Sequence, residues 1–455
     1  MKKFMSKDSK MMYLADDIQK IQVKTNMYIH EYGSEGSFHL AREIIQNSID
    51  ECLDEDSIGK NIHISYDKET DILRCEDDGR GFDESEYPLN IFCTTLQSGS
   101  KFMRADGTPT SGEFGVGMTV CNALSDHFSI TSYREKEKTI HTLVFSEGAL
   151  LKDETNPLKK SDKQHGTVVE FRTSKKYMGN ECELPVEDMK EWIDTLFYLN
   201  SSNLIKNDIK CDLEIYSGMK LEERVKFKPK DFSELLSRIL PSNLKKSQLS
   251  TMCTLEGKTT LVEETKIVTR GKDGTINVTM ADLEKKLHLD IAFRYGTSVE
   301  LNDTAEFDTY CNYTNTIENG THLDAFVDAY CRFMQGKINE SLSEVQKSKL
   351  KVTWDDIRTN LFCVINLTTN AAVGFVGNAK TKINCENLLP YMKELITEKL
   401  TEYYKANSNV LTEHMNIIKL NAKARLEAQK AKAATTTERI NTMGEHKHCV
   451  LVKPL

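Results

Sequence analysis

Residues 76–82 read Glu76-Asp77-Asp78-Gly79-Arg80-Gly81-Phe82. They close a stretch, Ile72 to Glu76, whose alternation is that of a strand, paired with His63–Tyr66 through the polar turn Asp67-Lys68-Glu69-Thr70. Two glycines flanking an arginine permit a tight turn and a close backbone approach to a ligand. A carboxylate at the strand end can accept a hydrogen bond from an exocyclic amine. Asp-Asp-Gly alone is a turn signal; with Arg-Gly added, directly after a strand, it marks the end of a sheet as a candidate binding site.

Upstream, Phe38 to Leu53 reads as a helix. His39, Glu43 and Asn47 fall at i, i+4 and i+8 and project from one face, beside apolar Ile44, Ile45 and Ile49. By itself such a stripe is an ordinary amphipathic surface. Downstream, Ser111-Gly112-Glu113-Phe114-Gly115-Val116-Gly117-Met118 leads into an apolar helix through Leu124. A loop of this kind can wrap phosphates with backbone N–H groups or simply bend, and Lys101 just before it offers a point charge. His165-Gly166-Thr167 then opens a further strand with a hydroxyl.

The chain has 455 residues, enough for two to three domains. Its net charge of −9 argues against a surface coated for nucleic acid, without excluding a local basic stripe. No apolar run approaches the roughly 20 residues of a membrane span. The start, Met1-Lys2-Lys3-Phe4-Met5-Ser6-Lys7, precedes polar residues rather than a signal core, so a cytoplasmic protein is expected, or one of the host cytoplasm if phage-encoded. The 12 cysteines are scattered with no C-x-x-C pair, as expected of free thiols.

Helical patterns at Tyr13–Ile21 and Phe38–Leu53, with further strands at Phe128–Tyr133, His141–Phe145 and Thr167–Arg172, predict helices packed on one face of a mixed sheet. A second mixed region runs from about residue 220 to 404 and contains a buried strand at Phe362–Leu367. From Asn387 onward the pattern is helical, with Pro390 early in the helix, where a missing N–H costs least. Residues 416–433 carry Lys419, Lys423, Arg425, Lys430 and Lys432 against Glu427 alone. That face is either solvated or near DNA. Residues 435–455 read as a tail or linker.

In this order and spacing the four elements resemble the ATPase domain shared by DNA gyrase, a class of heat-shock chaperones, histidine kinases and mismatch-repair proteins, the GHKL superfamily. Met27-Tyr28-Ile29 and Asn122-Ala123-Leu124-Ser125 resemble the gyrase B and topoisomerase IV branch more closely still. Further on, Asn319-Gly320-Thr321-His322-Leu323-Asp324-Ala325-Phe326 and Asn378-Ala379-Lys380-Thr381-Lys382-Ile383 resemble the second-domain signatures of the type IIA topoisomerases. The resemblance covers nearly the whole chain. It implies an α+β fold: a Bergerat-type α/β sandwich ATPase domain over residues 1–220 with an N-terminal dimerisation arm, a ribosomal-S5-like α/β transducer domain over 221–405, and a C-terminal helix and tail over 406–455.

The resemblance also implies roles. Glu43 is the general base for water attacking the γ-phosphate, and His39 orients or polarises it. Asn47 is the protein ligand to Mg²⁺. Asp77 accepts from the adenine amine with Thr167 in support, while Glu51, Arg80 and Gly81 line the pocket. Lys101, Gly112, Gly115, Val116 and Gly117 surround the phosphates, and Lys380 reaches the γ-phosphate from the second domain. Arg134 stands where aminocoumarin inhibitors bind in bacterial gyrase. Departures from the family pattern are Gly107 and Thr108 in place of a Tyr-Lys pair, Phe114 in place of a lid histidine, and Asp83 in place of a proline. The implied function is the ATP-driven clamp of a type IIA topoisomerase. It dimerises on nucleotide and captures double-stranded DNA, with cleavage left to a gyrase A-like subunit and a Toprim-bearing segment. The Glu-Gly-Asp-Ser-Ala motif of that segment does not occur, and Lys453-Pro454-Leu455 resembles the start of the junction to it. This fits either a cut chain or a naturally split polypeptide. Chaperone or repair ATPases, which share only the first domain, and a catalytically silent regulator are the alternatives.

Overall fold

The computed structural model describes residues 16–447 except 30, 55, 86–87, 97–115, 271–275, 299–300, 302–303 and 377–380; at 266–277 and 437–447 only the backbone is described. Helix α1 (Asp17–Val23) begins where the Asp16 carboxylate accepts from Ile18 N at 2.9 Å. The helix expected over 13–21 therefore starts at this side-chain cap. Helix α2 (Gly33–Leu53) buries Phe38, Leu40, Ala41, Ile44, Ile45 and Ile49, the face its apolar spacing predicts.

Strands β1 (Asn61–Asp67) and β2 (Ile72–Asp77) form the expected hairpin. Ile62, Ile64 and Tyr66 of β1 and Leu73, Cys75 and Asp77 of β2 are buried, a period-2 pattern that ends on a carboxylate. After helices α3 (Leu89–Thr94) and α4 (Gly117–Ala123) come β3 (Ser125–Arg134), β4 (Thr139–Ser146), β5 (Ala149–Pro157) and β6 (Gly166–Thr173). Helix α5 (Val186–Leu199), β7 (Lys210–Ser217) and β8 (Lys220–Phe227) complete the sheet. Its order is β5-β4-β3-β6-β2-β1-β7-β8. Only β1 and β7 pair in parallel, so the sheet is mixed as expected. It runs on to Phe227, through the boundary expected at residue 220. Edge strand β5 escaped the sequence reading because Asp153, Glu154 and Asn156 break any apolar alternation and nearly the whole strand is exposed.

The second sheet, ordered β12-β11-β13-β10-β9, comprises β9 (Cys253–Arg270), β10 (Ile276–Tyr295), β11 (Glu306–Cys311), β12 (Thr314–Asn315) and β13 (Leu361–Thr369). Helices α6 (Thr321–Glu340) and α7 (Leu389–Ala406) pack on each other and on this sheet. Pro390 lies at the start of α7 as expected. The central strand β13 is buried along its whole length. Leu361, Cys363, Ile365 and Leu367 belong to the core under α6 and α7, whereas Phe362 and Val364 belong to the core of the first sheet. One strand thus seals two cores. A small ribbon, β14 (Gly374–Val376) with β15 (Lys382–Asn384), follows.

Helix α8 (Ser408–Lys447) ends the described chain. It takes in residues 435–447 of the expected tail, and residues 448–455 lie outside the described residues. No proline interrupts 408–447, and Thr435 and Thr436 donate to the carbonyls of Ala431 and Lys432 at 3.0 and 2.8 Å, absorbing hydroxyls that would otherwise compete with the helix.

Candidate functional site

The alternation of β2 delivers Asp77 into the interior at the strand's last residue, and antiparallel register sets it opposite Thr167 of β6. Both are buried, Asp77 at 3% exposure. A carboxylate here needs donors. Ser48 Oγ of α2 donates to Oδ2 at 3.0 Å and Gly79 N to Oδ1 at 3.0 Å. They do not offset the loss of water fully: burial pushes the Asp77 carboxyl up to about 6. An ionised acceptor held this way, with a hydroxyl beside it, suits a ligand donor such as an amine.

The turn after Asp77 is fixed from several sides. Glu51 of α2 accepts from Arg80 N at 2.9 Å, from Nε at 2.9 Å and from Nη2 at 2.8 Å, a fork against a carboxylate. Asp54 lies 3.3 Å from Arg80 Nη1. Asp78 accepts from Lys60 N, Asn61 N and Asn61 Nδ2 at 2.6, 2.7 and 2.6 Å. Lys163 Nζ donates to Glu76 Oε1 at 2.8 Å and to the Asp77 carbonyl at 2.5 Å. His165 Nδ1 lies 2.7 Å from the Asp78 carbonyl and 3.1 Å from that of Gly79, so it carries a proton and donates. Gly81 has φ +73°, and a Cβ there would meet the Tyr133 carbonyl at 2.6 Å, so no other residue fits without strain.

The second stripe of α2 presents His39, Glu43 and Asn47, each partly exposed. Val116 and Gly117 lead into α4, and a Cβ on Gly117 would overlap the Glu43 carboxylate. The last glycine of the Gly-rich loop therefore sits directly on that carboxylate. Helix α4 is held there by Thr119 Oγ1 donating to the Thr95 carbonyl at 3.0 Å and Asn122 Nδ2 to that of Cys93 at 2.9 Å. Among the described residues none holds the Asn47 amide, so its oxygen is available to a hard cation that takes few protein ligands.

Arg134 Nη1 is 3.5 Å from Glu84 Oε1. Glu84 also contacts His141 Nδ1 at 2.9 Å, and His141 Nε2 contacts Asp153 Oδ1 at 2.9 Å. Burial works against a charged His141, but the two carboxylates outweigh it and raise its pKa. In the second sheet, Gly320 bridges to Ile383, Cys385 N donates to Thr321 Oγ1 at 3.0 Å, and Glu318 N donates to the Thr381 carbonyl at 2.9 Å. The two signature segments after residue 318 are thus neighbours. Lys101, Gly112, Gly115 and Lys380 lie outside the described residues, as do Gly107, Thr108, Phe114 and Asn378.

Of the expected site residues, Glu51, Asp77, Arg80, Gly81 and Thr167 come together around one turn, and His39, Glu43 and Asn47 share a stripe with Glu43 against Gly117. Ser48, Lys163 and the imidazole of His165 were not anticipated as parts of the site. The signal for Ser48 was its spacing: it follows Ile44 and Ile45 by one turn, so it faces the sheet rather than the stripe.

Two family models match the chain. "Histidine kinase-, DNA gyrase B-, and HSP90-like ATPase" covers residues 34–176 and "DNA gyrase B" covers residues 221–434. The DNA gyrase B polypeptide of Mycoplasma genitalium is 24% identical over 434 residues, covering 94% of this chain and 61% of the relative. The chain thus spans about three fifths of the length of that relative, and of the gyrase B polypeptide of Treponema pallidum, covered at 60%. The 43K ATPase domain of Thermus thermophilus gyrase B, solved with an aminocoumarin, superposes with a TM-score of 0.64 at 21% identity, covering 92% of this chain and 98% of that one. The topoisomerase IV ATP-binding domain of Francisella tularensis gives 0.61 at 19% identity, with 90% and 98% covered. These matches run through both sheets, which excludes relatives that share the first sheet alone. The chain belongs to the DNA gyrase B-like family of type IIA DNA topoisomerases and corresponds to its ATPase and transducer region.

Proposed function

We propose that this chain binds and hydrolyses ATP with Mg²⁺ and works as the nucleotide-operated clamp of a type IIA topoisomerase in the cytoplasm. The observation that carries the reading is the junction of the buried Asp77 and Thr167 with a helix whose Glu43 lies against Gly117. The adenine amine donates to Asp77, with Thr167 beside it. Glu51, Arg80 and Gly81 keep that end of the pocket rigid. Val116 and Gly117, with Gly112, Gly115 and Lys101, enclose the phosphates. Asn47 would hold Mg²⁺, which would supply neutralisation of charge on the phosphate oxygens. Glu43 removes a proton from water as its oxygen bonds to the γ-phosphorus; the bond to the β,γ-bridging oxygen breaks and ADP leaves. His39 positions Glu43, and Lys380 stabilises charge on the transferring group.

Hydrolysis of this kind closes and opens a homodimer that captures a DNA duplex, with cleavage performed by a gyrase A-like subunit and a Toprim-bearing segment. The test is ATP turnover against protein concentration for wild type and Glu43→Ala, with sizing in a non-hydrolysable analogue. Turnover rising faster than linearly, background rates in E43A and a dimer with the analogue are expected. Linear turnover without a dimer would sink the clamp, and binding without turnover would make the chain a regulator.

A further inference from the structure

The face of the second sheet that carries Phe362 and Val364 into the first core also carries polar residues further along the strands. Register sets Asp290 of β10 between Glu256 of β9 and Asn366 of β13, and His288 of β10 between Lys258 and Thr368. Direct partners in a sheet share a face, as do residues two apart. Glu256, His288, Asp290 and Asn366 therefore converge on one side of three adjacent strands.

His288 Nε2 lies 3.3 Å from Glu256 Oε1 and 3.2 Å from Asp290 Oδ1. Despite this approach it is a buried atom without a hydrogen-bond partner. Donor atoms about 3 Å apart are the edge lengths of a coordination shell whose bonds are about 2.1 Å. A second observation comes from Asn366, which is 1% exposed. Its Oδ1 has no partner, and its Nδ2 makes only long contacts, 3.4 Å to Asp290 Oδ2 and 3.5 Å to Thr368 Oγ1. Rotating that amide exchanges nitrogen for oxygen and gives the cluster a fourth donor.

We propose that Glu256, His288 and Asp290, with the amide oxygen of Asn366, bind a divalent first-row transition ion such as Mn²⁺. One imidazole nitrogen and three oxygens, two of them anionic, suit an ion of intermediate hardness. The cluster His63, Asp212 and Glu214 has similar spacing but lacks this capacity. There the Arg224 guanidinium already reaches both carboxylates, and Tyr216 donates to Glu214. At the second-sheet cluster the competing cation is Lys258, 3.1 Å from Glu256 Oε1 and 67% exposed, so turning its ammonium into water gives up only a surface ion pair. A bound ion joins β9 to β10 and, through Asn366, to β13, and it is independent of the nucleotide site.

The experiment uses the whole chain, stripped of metal and free of nucleotide, titrated with Mn²⁺ and followed by electron paramagnetic resonance. A single saturable ion with nitrogen hyperfine coupling in pulsed spectra is expected. H288Q removes the nitrogen coupling, D290N removes the ion, N366A weakens binding about tenfold, and H63Q changes nothing. Should H288Q fail to fold, D290N still localises the ion. Absence of saturable binding, a bound ion without nitrogen coupling, or unaltered binding in both H288Q and D290N would overturn the proposal.

Discussion

Asp77, the proposed partner of the adenine amine, is a buried carboxyl held by Ser48 and the Gly79 N–H. Burial raises its carboxyl to about 6, so between about pH 4 and 6 the folded chain holds a proton that the unfolded chain has released, and stability falls as pH rises through that window. Above it the carboxylate is ionised at a standing cost. Asp77→Asn removes the cost: thermal denaturation at pH 7.5 should show a gain of about 1–3 kcal/mol. The same variant should bind ATP about a hundredfold more weakly by calorimetry, because the charged acceptor is gone. In the wild type, affinity should fall about tenfold per pH unit below pH 6, and a pH-independent affinity would remove Asp77 from the adenine pocket. This residue was legible in the sequence, since a strand pattern ending in Asp-Asp-Gly-Arg-Gly places a carboxylate at a sheet end. Lys163 was not, because its bond to the Asp77 carbonyl depends on a loop crossing back over the turn.

Among the elements, α8 is anchored by buried His414, which meets Tyr404 and Ser250, by Asn421, and by one ion pair. Arg425 Nε and Nη2 donate to the two oxygens of Asp356 at 2.8 and 3.0 Å, and Nη2 also reaches the Lys351 carbonyl at 2.9 Å. Asp356 is 2% exposed, while the guanidinium is partly in solvent, which discounts the pair. Arg425→Ala should destabilise the second core by about 1–3 kcal/mol and bring forward proteolysis beyond residue 426; unchanged protection would show that His414, Asn421 and the apolar contacts hold α8 without the ion pair. The sequence marks Arg425 only as one cation in a basic stretch, and nothing local distinguishes it from Lys423. The ribbon of β9 and β10 was equally hidden. Its Lys, Glu and Thr content is that of a strand pair with little to cover it, and Val262, Val278 and Met280 lie exposed. By contrast, Phe362–Leu367 announced β13, because an apolar run broken only at Asn366 is the pattern of a strand buried on both faces.

At the scale of the molecule, the two sheets share a boundary. Tyr310, Tyr313, Phe362 and Val364 come from the second sheet yet belong to the first core. Tyr313 is buried at φ +67° in the turn between β11 and β12. Tyr313→Ala should cost about 3–5 kcal/mol and split a single thermal transition into two; one transition at a lower temperature would mean that β13 alone couples the cores. No local pattern foretells that coupling, which joins residues far apart in the chain. The cysteines offer a way to watch it. The 11 among the described residues are all buried free thiols, with Cys75 and Cys211 in the first core and Cys331 and Cys363 in the second. Burial pushes the Cys75 and Cys331 thiols up to about 12, so they are inert while packed. A thiol-specific label added under native conditions therefore records openings rather than surface, and the order in which these sulfurs react tells which half of the chain comes apart first.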